Sequence, residues 1–516
     1  MNKPKLSLCM IVKNEEKFLP GCLESVKNIA DEIIIVDTGS TDKTIEIARR
    51  YNAKIFHLDW KNDFSIARNE SIKHSTGEWI LVLDADERLN PNQETKLKKY
   101  LNSNFDALYV KVINLGKDGK PDVINEYPRL FRKKDWIKFE GRIHEQITPS
   151  ILRNCGKIAK TDITITHLGY AQSDEIMSKK YERNLNLLLE EIKENPDNAY
   201  AYYHIGIIKI LTGEKENGIE WLKKAISIQK EKSNLGDSLL ASIYNIIGKY
   251  ELQNERYQEA IDYFVKSSKL APTQLTSYYL SGIAHAKLSN FHIAKNFFEI
   301  ALKNLKAISN GKSLDVSLEN MVEENEIHFK LMICYFKLGN YQRMKEHLLK
   351  VIHDEILYKA TIDFLVEEYK LGVGNAINVL KEISTIKPSF EIFKILSGIY
   401  QINGELEDAV KNLEIALNFK DDDDEIRYNL GMCLVGLRRF DEAIRVLSDF
   451  KVRENSKFFD ASIKVLALAH IGCGNFEEAL KCYEILLNHN PNDEAIKTKA
   501  RTLAQKLNLR FSERIY

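Results

Sequence analysis

The hydrophobic pattern of this 516-residue chain changes near residue 171. Before that point, short apolar runs of strand length alternate with amphipathic stretches of helix length. After it, the strand-like runs stop and helical spacing continues along the rest of the chain. Strands and helices that alternate through short loops predict a parallel sheet with right-handed crossovers. The sequence therefore predicts an α/β domain with a Rossmann-like, mostly parallel sheet over residues 1–170, and an all-α domain over residues 171–516.

Small residues recur in the second domain at a spacing of about 34 positions, which is the tetratricopeptide period. Gly248 and Gly282 are 34 positions apart, and Ala409 and Ala443 repeat that interval. Small side chains let the two helices of a repeat cross closely, and each unit buries its core only against its neighbours. We therefore expect about eight repeat units that stack into a superhelix, with an insertion near residues 305–325.

Composition limits the class of partner and the compartment. The 74 basic and 74 acidic residues give a net charge of zero, which provides no electrostatic support for nucleic-acid binding. The seven cysteines are scattered without a C-x-x-C pair, so neither a zinc ribbon nor a disulfide framework is indicated. No apolar run is long enough to be a transmembrane segment, and we therefore expect a cytoplasmic protein.

Four strands separated by three helices are predicted at the start of the first domain. The strands are expected at residues 6–12, 33–36, 54–58 and 79–83, and the helices at residues 18–26, 43–51 and 64–74. Neither G-x-G-x-x-G nor a Walker P-loop occurs, so acidic residues and a metal would have to hold any nucleotide phosphates here.

Two aspartates, Asp84 and Asp86, directly follow the fourth predicted strand. Ligands bind at the carboxyl ends of strands in open parallel sheets. Carboxylate oxygens suit hard divalent cations, and such cations suit phosphate oxygens. The pattern therefore indicates a diphosphate held through a metal. The alternative is that these acids only favour the start of a following helix.

Three motifs follow one another in the first domain: VDTGSTD at residues 36–42, ARN at residues 67–69 and LDADE at residues 83–87. Together they resemble the family 2 glycosyltransferases of the GT-A fold over roughly residues 5–170. Four further segments are similar to a branch of that family with a helical-repeat tail, which includes the sublancin-type peptide S-glycosyltransferases that glucosylate bacteriocins. These segments are residues 60–69, 129–132, 141–145 and 167–170.

The resemblance implies a UDP-sugar donor with Mg²⁺ or Mn²⁺. Val12 and Glu15 would flank the uracil, and Asp37 would contact the uridine. Asp86 would bind the metal, and His167 would complete its shell, although a structural histidine is the alternative. For Asp37 and Arg68 the alternatives are a turn acid and a surface charge. The donor-binding set that the resemblance implies is Val12, Glu15, Asp37, Arg68, Asp84, Ala85 and Asp86.

His144 and Glu145 are the candidates for acid–base chemistry. They do not form an H-E-x-x-H zinc motif, because position 148 is Thr. Inverting sugar transfer needs one group to accept the proton of the acceptor, and a carboxylate serves this purpose. Glu145 is the candidate base, and His144 is an alternate base or an orienting group. A pair without any catalytic role is the remaining interpretation.

The preferred function is an inverting, metal-dependent transfer of a hexose or N-acetylhexosamine from a UDP-sugar to a Cys, Ser or Thr side chain of a peptide or protein. The repeat domain has no chemistry of its own and would bind the peptide acceptor, and the resemblance also implies a homodimer. One alternative is a cell-surface glycan or lipid-linked sugar as acceptor, and another is a non-catalytic scaffold. His204, His285 and His470 fall on apolar helix faces, which favours core or groove positions over metal ligation.

Overall fold

The computed structural model describes residues 5–116, 119–168, 174–232, 235–309, 318–319 and 322–507. It divides into two compact units, Met1–Lys350 and Val351–Tyr516. The predicted boundary between residues 170 and 171 lies outside the described residues and stays a prediction. Within the described ranges, no helix combines the length and the apolar character that crossing a membrane requires.

The first unit begins with the predicted alternation of strands and helices. The strands are β1 (Leu6–Val12), β2 (Glu32–Asp37), β3 (Lys54–His57) and β4 (Trp79–Val82), and the helices between them are α1 (Leu19–Val26), α2 (Thr44–Arg50) and α3 (Phe64–His74). These four strands are parallel and lie in the order β3-β2-β1-β4. Val12 pairs with Asp37, so β1 and β2 end at the same edge of the sheet.

The sheet continues with strands that change its direction. The elements that follow are β5 (Glu87–Leu89), α4 (Glu94–Leu101), β6 (Ala107–Leu115), β7 (Pro121–Arg132), α5 (Thr148–Arg153) and β8 (Ile158–His167). The full order is β3-β2-β1-β4-β7-β6-β8-β5, and β7 is antiparallel to both β4 and β6. The sheet is therefore mixed, where the sequence predicted a mostly parallel one. The physical reason is the short connection between β6 and β7, because a hairpin can join only antiparallel neighbours.

The β1 strand is buried on both faces. Leu8 and Met10 pack toward α1 in one apolar cluster, whereas Cys9 packs with Ile80 and Phe131 in a second cluster on the opposite face. Successive side chains of a strand point to opposite faces, so a strand covered on both sides is mostly apolar. This double burial fixes the strand ends that carry the candidate site.

Helices account for the rest of the first unit. They are α6 (Asp174–Glu194), α7 (Ala199–Leu211), α8 (Lys215–Lys232), α9 (Asp237–Gln253), α10 (Tyr257–Leu270), α11 (Thr276–Lys287), α12 (Phe291–Ser309), α13 (Glu324–Lys337) and α14 (Tyr341–Val351). The described part of the predicted insertion includes a short strand, β9 (Leu318–Glu319), which pairs with β7. The insertion therefore adds a strand to the sheet of the α/β domain.

The second unit is helical throughout its described residues. Its helices are α15 (Glu355–Lys370), α16 (Asn375–Ile386), α17 (Phe390–Asn403), α18 (Leu406–Phe419), α19 (Asp424–Gly436), α20 (Phe440–Leu447), α21 (Phe459–Gly472), α22 (Phe476–His489) and α23 (Glu494–Lys506), with a 3₁₀ helix at Ser448–Val452. The predicted class, an α/β domain followed by an all-α repeat region, is confirmed. The count of about eight repeat units stays a prediction.

Close helix crossings explain the small residues that mark the repeat. A Cβ atom added to Gly282 in α11 would lie 2.6 Å from the ring of Phe298 in α12. The same geometry recurs between Gly248 in α9 and Phe264 in α10, also at 2.6 Å. Because real Cβ atoms do not approach carbon this closely, only glycine permits these crossings. By contrast, a Cβ atom added to Gly398 in α17 would lie in open space.

Gly282→Ala is expected to destabilise the repeat region by about 1–3 kcal/mol, because the added methyl group overpacks the crossing. Gly398→Ala serves as the matched control and is expected to be neutral or to stabilise by up to about 1 kcal/mol, because alanine favours the helix and meets no neighbour. Urea unfolding followed by helical circular dichroism measures both. An unchanged unfolding midpoint for Gly282→Ala would contradict the packing explanation.

Candidate active site

Acidic side chains gather where the parallel strands end. Val12 and Asp37 are the last residues of β1 and β2, and Asp84 and Asp86 follow β4 directly. Glu87 closes this turn twice: its backbone N–H donates to the Asp84 carbonyl at 2.9 Å, and its carboxylate accepts from the Asp84 N–H at 2.9 Å. The structure therefore gives the D-x-D segment a fixed backbone at the ligand-binding edge of the sheet.

Arg68 joins two of the predicted carboxylates. Its Nη2 donates to Oδ1 of Asp84 at 2.7 Å, and its Nε donates to Oε1 of Glu145 at 2.5 Å. Only 7% of the Arg68 side chain and 10% of the Glu145 side chain are exposed, so both charges are held away from solvent. Burial alone would raise the pKa of Asp84, but the guanidiniums of Arg68 and Arg129 outweigh it and hold that pKa well below its usual range.

The ARN motif has a structural explanation. Helix α3 begins with a cap in which the Asp63 carboxylate accepts from the Ile66 N–H at 3.1 Å, and Arg68 follows within the next turn. The adjacent Asn69 forms two hydrogen bonds with the backbone of Phe139, at 2.8 and 2.9 Å. Arg68 therefore points into the site while Asn69 anchors the segment that leads to Glu145.

Asp86 and His167, the two predicted metal ligands, lie side by side, and their binding of a metal stays a prediction. Oδ2 of Asp86 is 3.4 Å from Nε2 of His167, and Nδ1 of His167 is 2.7 Å from Oδ1 of Asn114. Burial alone would lower the pKa of His167, but the Asp86 hydrogen bond and the nearby carboxylates raise it above its usual range.

These two side chains fit a divalent cation that a diphosphate also binds. A carboxylate with an imidazole supplies the few protein donors that Mg²⁺ or Mn²⁺ uses beside phosphate oxygens and water. A second ring nitrogen held by an amide oxygen is the usual support for a metal-binding histidine. Within the described ranges, no group of three or more His, Cys, Asp or Glu side chains is arranged around one point. The described residues alone would therefore provide only part of the coordination shell of a metal ion.

Glu15 shows that the acids of this edge interact. Burial raises its pKa to about 7, and the negative charges of Asp86 and Asp84 contribute to the rise, while Lys180 opposes it. A carboxyl group with this pKa is only partly ionised at neutral pH, because burial disfavours its charged form and the two aspartates disfavour a further negative charge. The predicted donor residues Glu15, Asp84 and Asp86 therefore share one electrostatic environment.

Asp37 is engaged by its own turn. Its carboxylate accepts from the N–H groups of Gly39 and Ser40 at 3.2 and 3.1 Å, and it lies 3.2 Å from Nδ1 of His57. This is the geometry of the turn acid that the sequence left open as an alternative. A role for Asp37 in binding uridine stays a prediction.

Val12 and Ala85 form hydrogen bonds at the strand ends through their backbone carbonyl groups. Both side chains are buried in the core of the sheet, and the Val12 carbonyl accepts from the Thr38 N–H at 3.0 Å. The Ala85 carbonyl accepts from the Arg88 guanidinium at 2.7 Å. These contacts hold the strand ends in place, and the predicted donor contacts of both residues stay predictions.

His144 is packed differently from its neighbour Glu145. It adopts a left-handed backbone conformation with φ of 54°, and its ring stacks on that of His204 with 3.5 Å between centroids. Burial lowers the pKa of His144 to about 4, with a further contribution from Arg183. A low pKa and a covered ring face make His144 a weak proton acceptor, which favours Glu145 as the candidate base. The roles of both residues stay predictions.

Arg129 is a residue of this site that was not among those predicted from the sequence. Its Nη2 lies 2.6 Å from Glu87 and 3.2 Å from Asp84, so it is the second guanidinium on the D-x-D segment. Antiparallel pairing of Leu81 with Leu130 carries Arg129 to the end of β4. The sequence signal that could have identified Arg129 was electrostatic. The acidic run that includes Glu87 needs a cationic partner if it is buried.

Arg129→Met is expected to destabilise the first unit by about 3–5 kcal/mol, because it leaves the buried Glu87 carboxylate without its partner. Glu87→Gln in the same chain should recover part of this loss, since the unpaired negative charge is then removed. Urea unfolding at pH 8 of the wild type, both single variants and the double variant measures the coupling. Additive losses would show that the ion pair is not the source of the effect.

Comparison with known proteins identifies the first domain and the repeats that follow it. Residues 7–160 match the model for glycosyl transferase family 2, and residues 199–232 and 241–274 match the tetratricopeptide repeat. A TPR repeat-containing protein of Synechococcus elongatus is 34% identical over 267 residues, which are 50% of this chain and 66% of that protein. This chain thus spans just under two thirds of the Synechococcus protein.

The second relative carries an enzyme name. The SPbeta prophage-derived glycosyltransferase SunS of Bacillus subtilis is 27% identical over 354 residues, which are 66% of this chain and 79% of that protein. Among solved structures, Staphylococcus aureus TarS 1-349 in complex with UDP-GlcNAc is similar with a TM-score of 0.31 at 17% identity, over 60% of this chain and 92% of that chain. A likeness this distant carries no functional argument. The motif-based recognition is confirmed: residues 7–160 form a glycosyl transferase family 2 domain, and tetratricopeptide repeats follow that domain.

Proposed function

We propose that this protein is an inverting glycosyltransferase that moves a hexose or N-acetylhexosamine from a UDP-sugar to a peptide or protein side chain. The observation that supports it most strongly is the bridge that Arg68 makes between Asp84 and Glu145. Asp84 belongs to the acidic edge that suits a donor diphosphate, and Glu145 is the candidate base for the acceptor. One buried guanidinium thus links the two halves of a transfer reaction.

The donor side rests on the acids at the strand ends. Asp86 and His167 are suitably paired to hold Mg²⁺ or Mn²⁺, which would offset the negative charge that develops on departing UDP. Val12 and Glu15 lie at the end of β1 or just beyond it, where the resemblance puts the uracil. Arg68 and Arg129 add two positive charges that keep Asp84 ionised in this edge.

The acceptor side rests on Glu145. In the proposed step, the acceptor oxygen or sulfur forms a bond to the anomeric carbon while the bond from that carbon to UDP breaks. The electron pair leaves with UDP, and the acceptor proton passes to the Glu145 carboxylate. Arg68 contacts Oε1, so Oε2 is the oxygen that would take the proton. A single displacement of this kind inverts the anomeric configuration.

The repeat region supplies the binding surface for the acceptor in this proposal, since such arrays bind peptides or other arrays. A homodimer and a bacteriocin-like peptide substrate follow from the family resemblance alone. All seven cysteines are free thiols, which supports a reducing, cytoplasmic location. A glycan or lipid-linked acceptor is the alternative, and peptide mass after incubation distinguishes the two.

Purified protein with UDP-glucose and Mn²⁺ is expected to release UDP, and a chelator should abolish the release. Asp86→Asn should lower the rate by about 100-fold, because a neutral amide is a weaker ligand for a hard cation. Asp162→Asn removes a solvent-exposed, ion-paired carboxylate on β8 and serves as the control with an unchanged rate. Equal rates with and without the chelator would contradict metal dependence. A wild type that releases no nucleotide from UDP-, GDP- or TDP-sugars would contradict the proposal that the protein is a glycosyltransferase.

Glu145→Gln is expected to impair transfer to a serine peptide more than transfer to a cysteine peptide of otherwise identical sequence. A thiol has a pKa of about 8.5 and loses its proton with little help, whereas an alcohol needs a base. Intact-mass measurement of both peptides gives the two rates. Equal losses on both peptides would show that Glu145 acts by positioning rather than by accepting the proton.

A further inference from the structure

The segment that carries Glu145 is held from two sides. Residues 141–147, which we name the 141–147 loop, connect to the α/β domain through the Phe64 N–H, which donates to the Arg142 carbonyl at 2.8 Å. On the other side, the Arg142 guanidinium binds both carboxylate oxygens of Glu194 in α6, at 2.7 and 2.6 Å. The Ile143 side chain is buried in an apolar cluster with Leu188 of α6 and other residues of α6 and α7.

Helix α7, the first helix matched by the repeat model, makes the most specific contacts with this loop. The His204 ring stacks face to face on the His144 ring at an interplanar angle of 9°. Tyr200, one turn earlier in α7, packs its ring edge-on against His204 at 4.4 Å and hydrogen-bonds to the Gln146 side chain. Both residues that flank Glu145 are therefore in contact with α7.

The backbone of the loop needs such support. His144 has a positive φ, a conformation that costs a non-glycine residue of order 1–3 kcal/mol and persists only where the surroundings hold it. The stacked ring of His204 covers the His144 side chain in that conformation. If His144 relaxed to a negative φ, the direction of the chain into Glu145 would change, and the contact between Glu145 and Arg68 would change with it.

We propose that His204 is a positioning residue for glycosyl transfer, and that the first repeat helix is thereby part of the transferase site. His204 fixes His144, His144 fixes the backbone of Glu145, and Glu145 is thereby held against Arg68. The inference rests on the proposed function for its catalytic consequence. The positioning contact itself rests only on the geometry of α7 and the 141–147 loop.

Two variants of His204 and one matched control test this inference. His204→Ala removes the stacked ring, and His204→Phe keeps an aromatic face without the ring nitrogens. The control is His285→Ala, which removes a histidine of the later repeat helix α11 whose ring stacks on Phe297 with 5.3 Å between centroids and is not in contact with the loop. Amide hydrogen exchange of peptides that cover residues 141–147 reports on the loop without any substrate. UDP release from UDP-glucose into water, with Mn²⁺, reports on catalysis.

His204→Ala is expected to speed exchange in the 141–147 loop by about 10-fold while the rest of the α/β domain stays unchanged. The kcat for UDP release should fall by about 10- to 100-fold with KM for UDP-glucose nearly constant, because the donor site is intact and only Glu145 is misplaced. His204→Phe should restore both quantities to near the wild-type values, and His285→Ala should alter neither.

Other results would overturn the inference. Unchanged loop exchange in His204→Ala would show that α7 does not hold the loop, and faster exchange with unchanged kcat would show that the contact has no catalytic role. Faster loop exchange in His285→Ala would point to general loosening of the repeats, as would His204→Phe behaving like His204→Ala. A wild type without UDP release would reject the proposed function instead, and the exchange comparison would still decide whether His204 positions the loop.

Discussion

The buried guanidinium of Arg68 is the interaction on which the candidate site depends. Two carboxylates from distant parts of the chain meet on it, Asp84 from the end of β4 and Glu145 from the 141–147 loop. The charges of Arg68 and Glu145 would each be costly to bury alone, and their ion pair makes this burial tolerable. Because the guanidinium is planar and has a fixed set of N–H directions, it also sets the angle between the two carboxylates. A lysine would supply the charge without this geometry.

Arg68 also connects the site to the repeat region. Helix α3 places it, the Asn69 clamp on Phe139 brings the 141–147 loop close, and α6 and α7 pack on the far side of that loop. The α/β domain and the first repeat therefore belong to the same compact unit. If Glu145 is the base, as proposed, its support by both regions would give the repeats a part in catalysis in addition to binding the acceptor.

The sequence predicted the helices and strands better than the tertiary contacts between them. Helix α3 has the predicted bounds, and the Asp63 carboxylate caps its first turn. The direction of β7 was missed, since the basic and aromatic stretch after residue 129 hides a strand that pairs with β4. The site residues Arg68 and Glu145 were both chosen, yet they are 77 positions apart, and no local pattern shows that they form a pair. Arg129 and His204 were missed as site residues for the same reason, because their roles arise only from tertiary contacts.

The negative charge at the strand ends constrains how an anionic sugar-nucleotide donor could bind there. Glu15, Asp84, Asp86 and Glu87 lie around this edge, and burial together with the negative charges of Asp86 and Asp84 raises the pKa of Glu15 to about 7. A sugar-nucleotide diphosphate is itself an anion, so it would be repelled from Asp86 unless a divalent cation came with it. The two guanidiniums do not relieve this repulsion, because Asp84 and Glu87 already engage them. Donor and cation are therefore expected to bind with strong mutual dependence, and by linkage each should raise the affinity of the edge for the other.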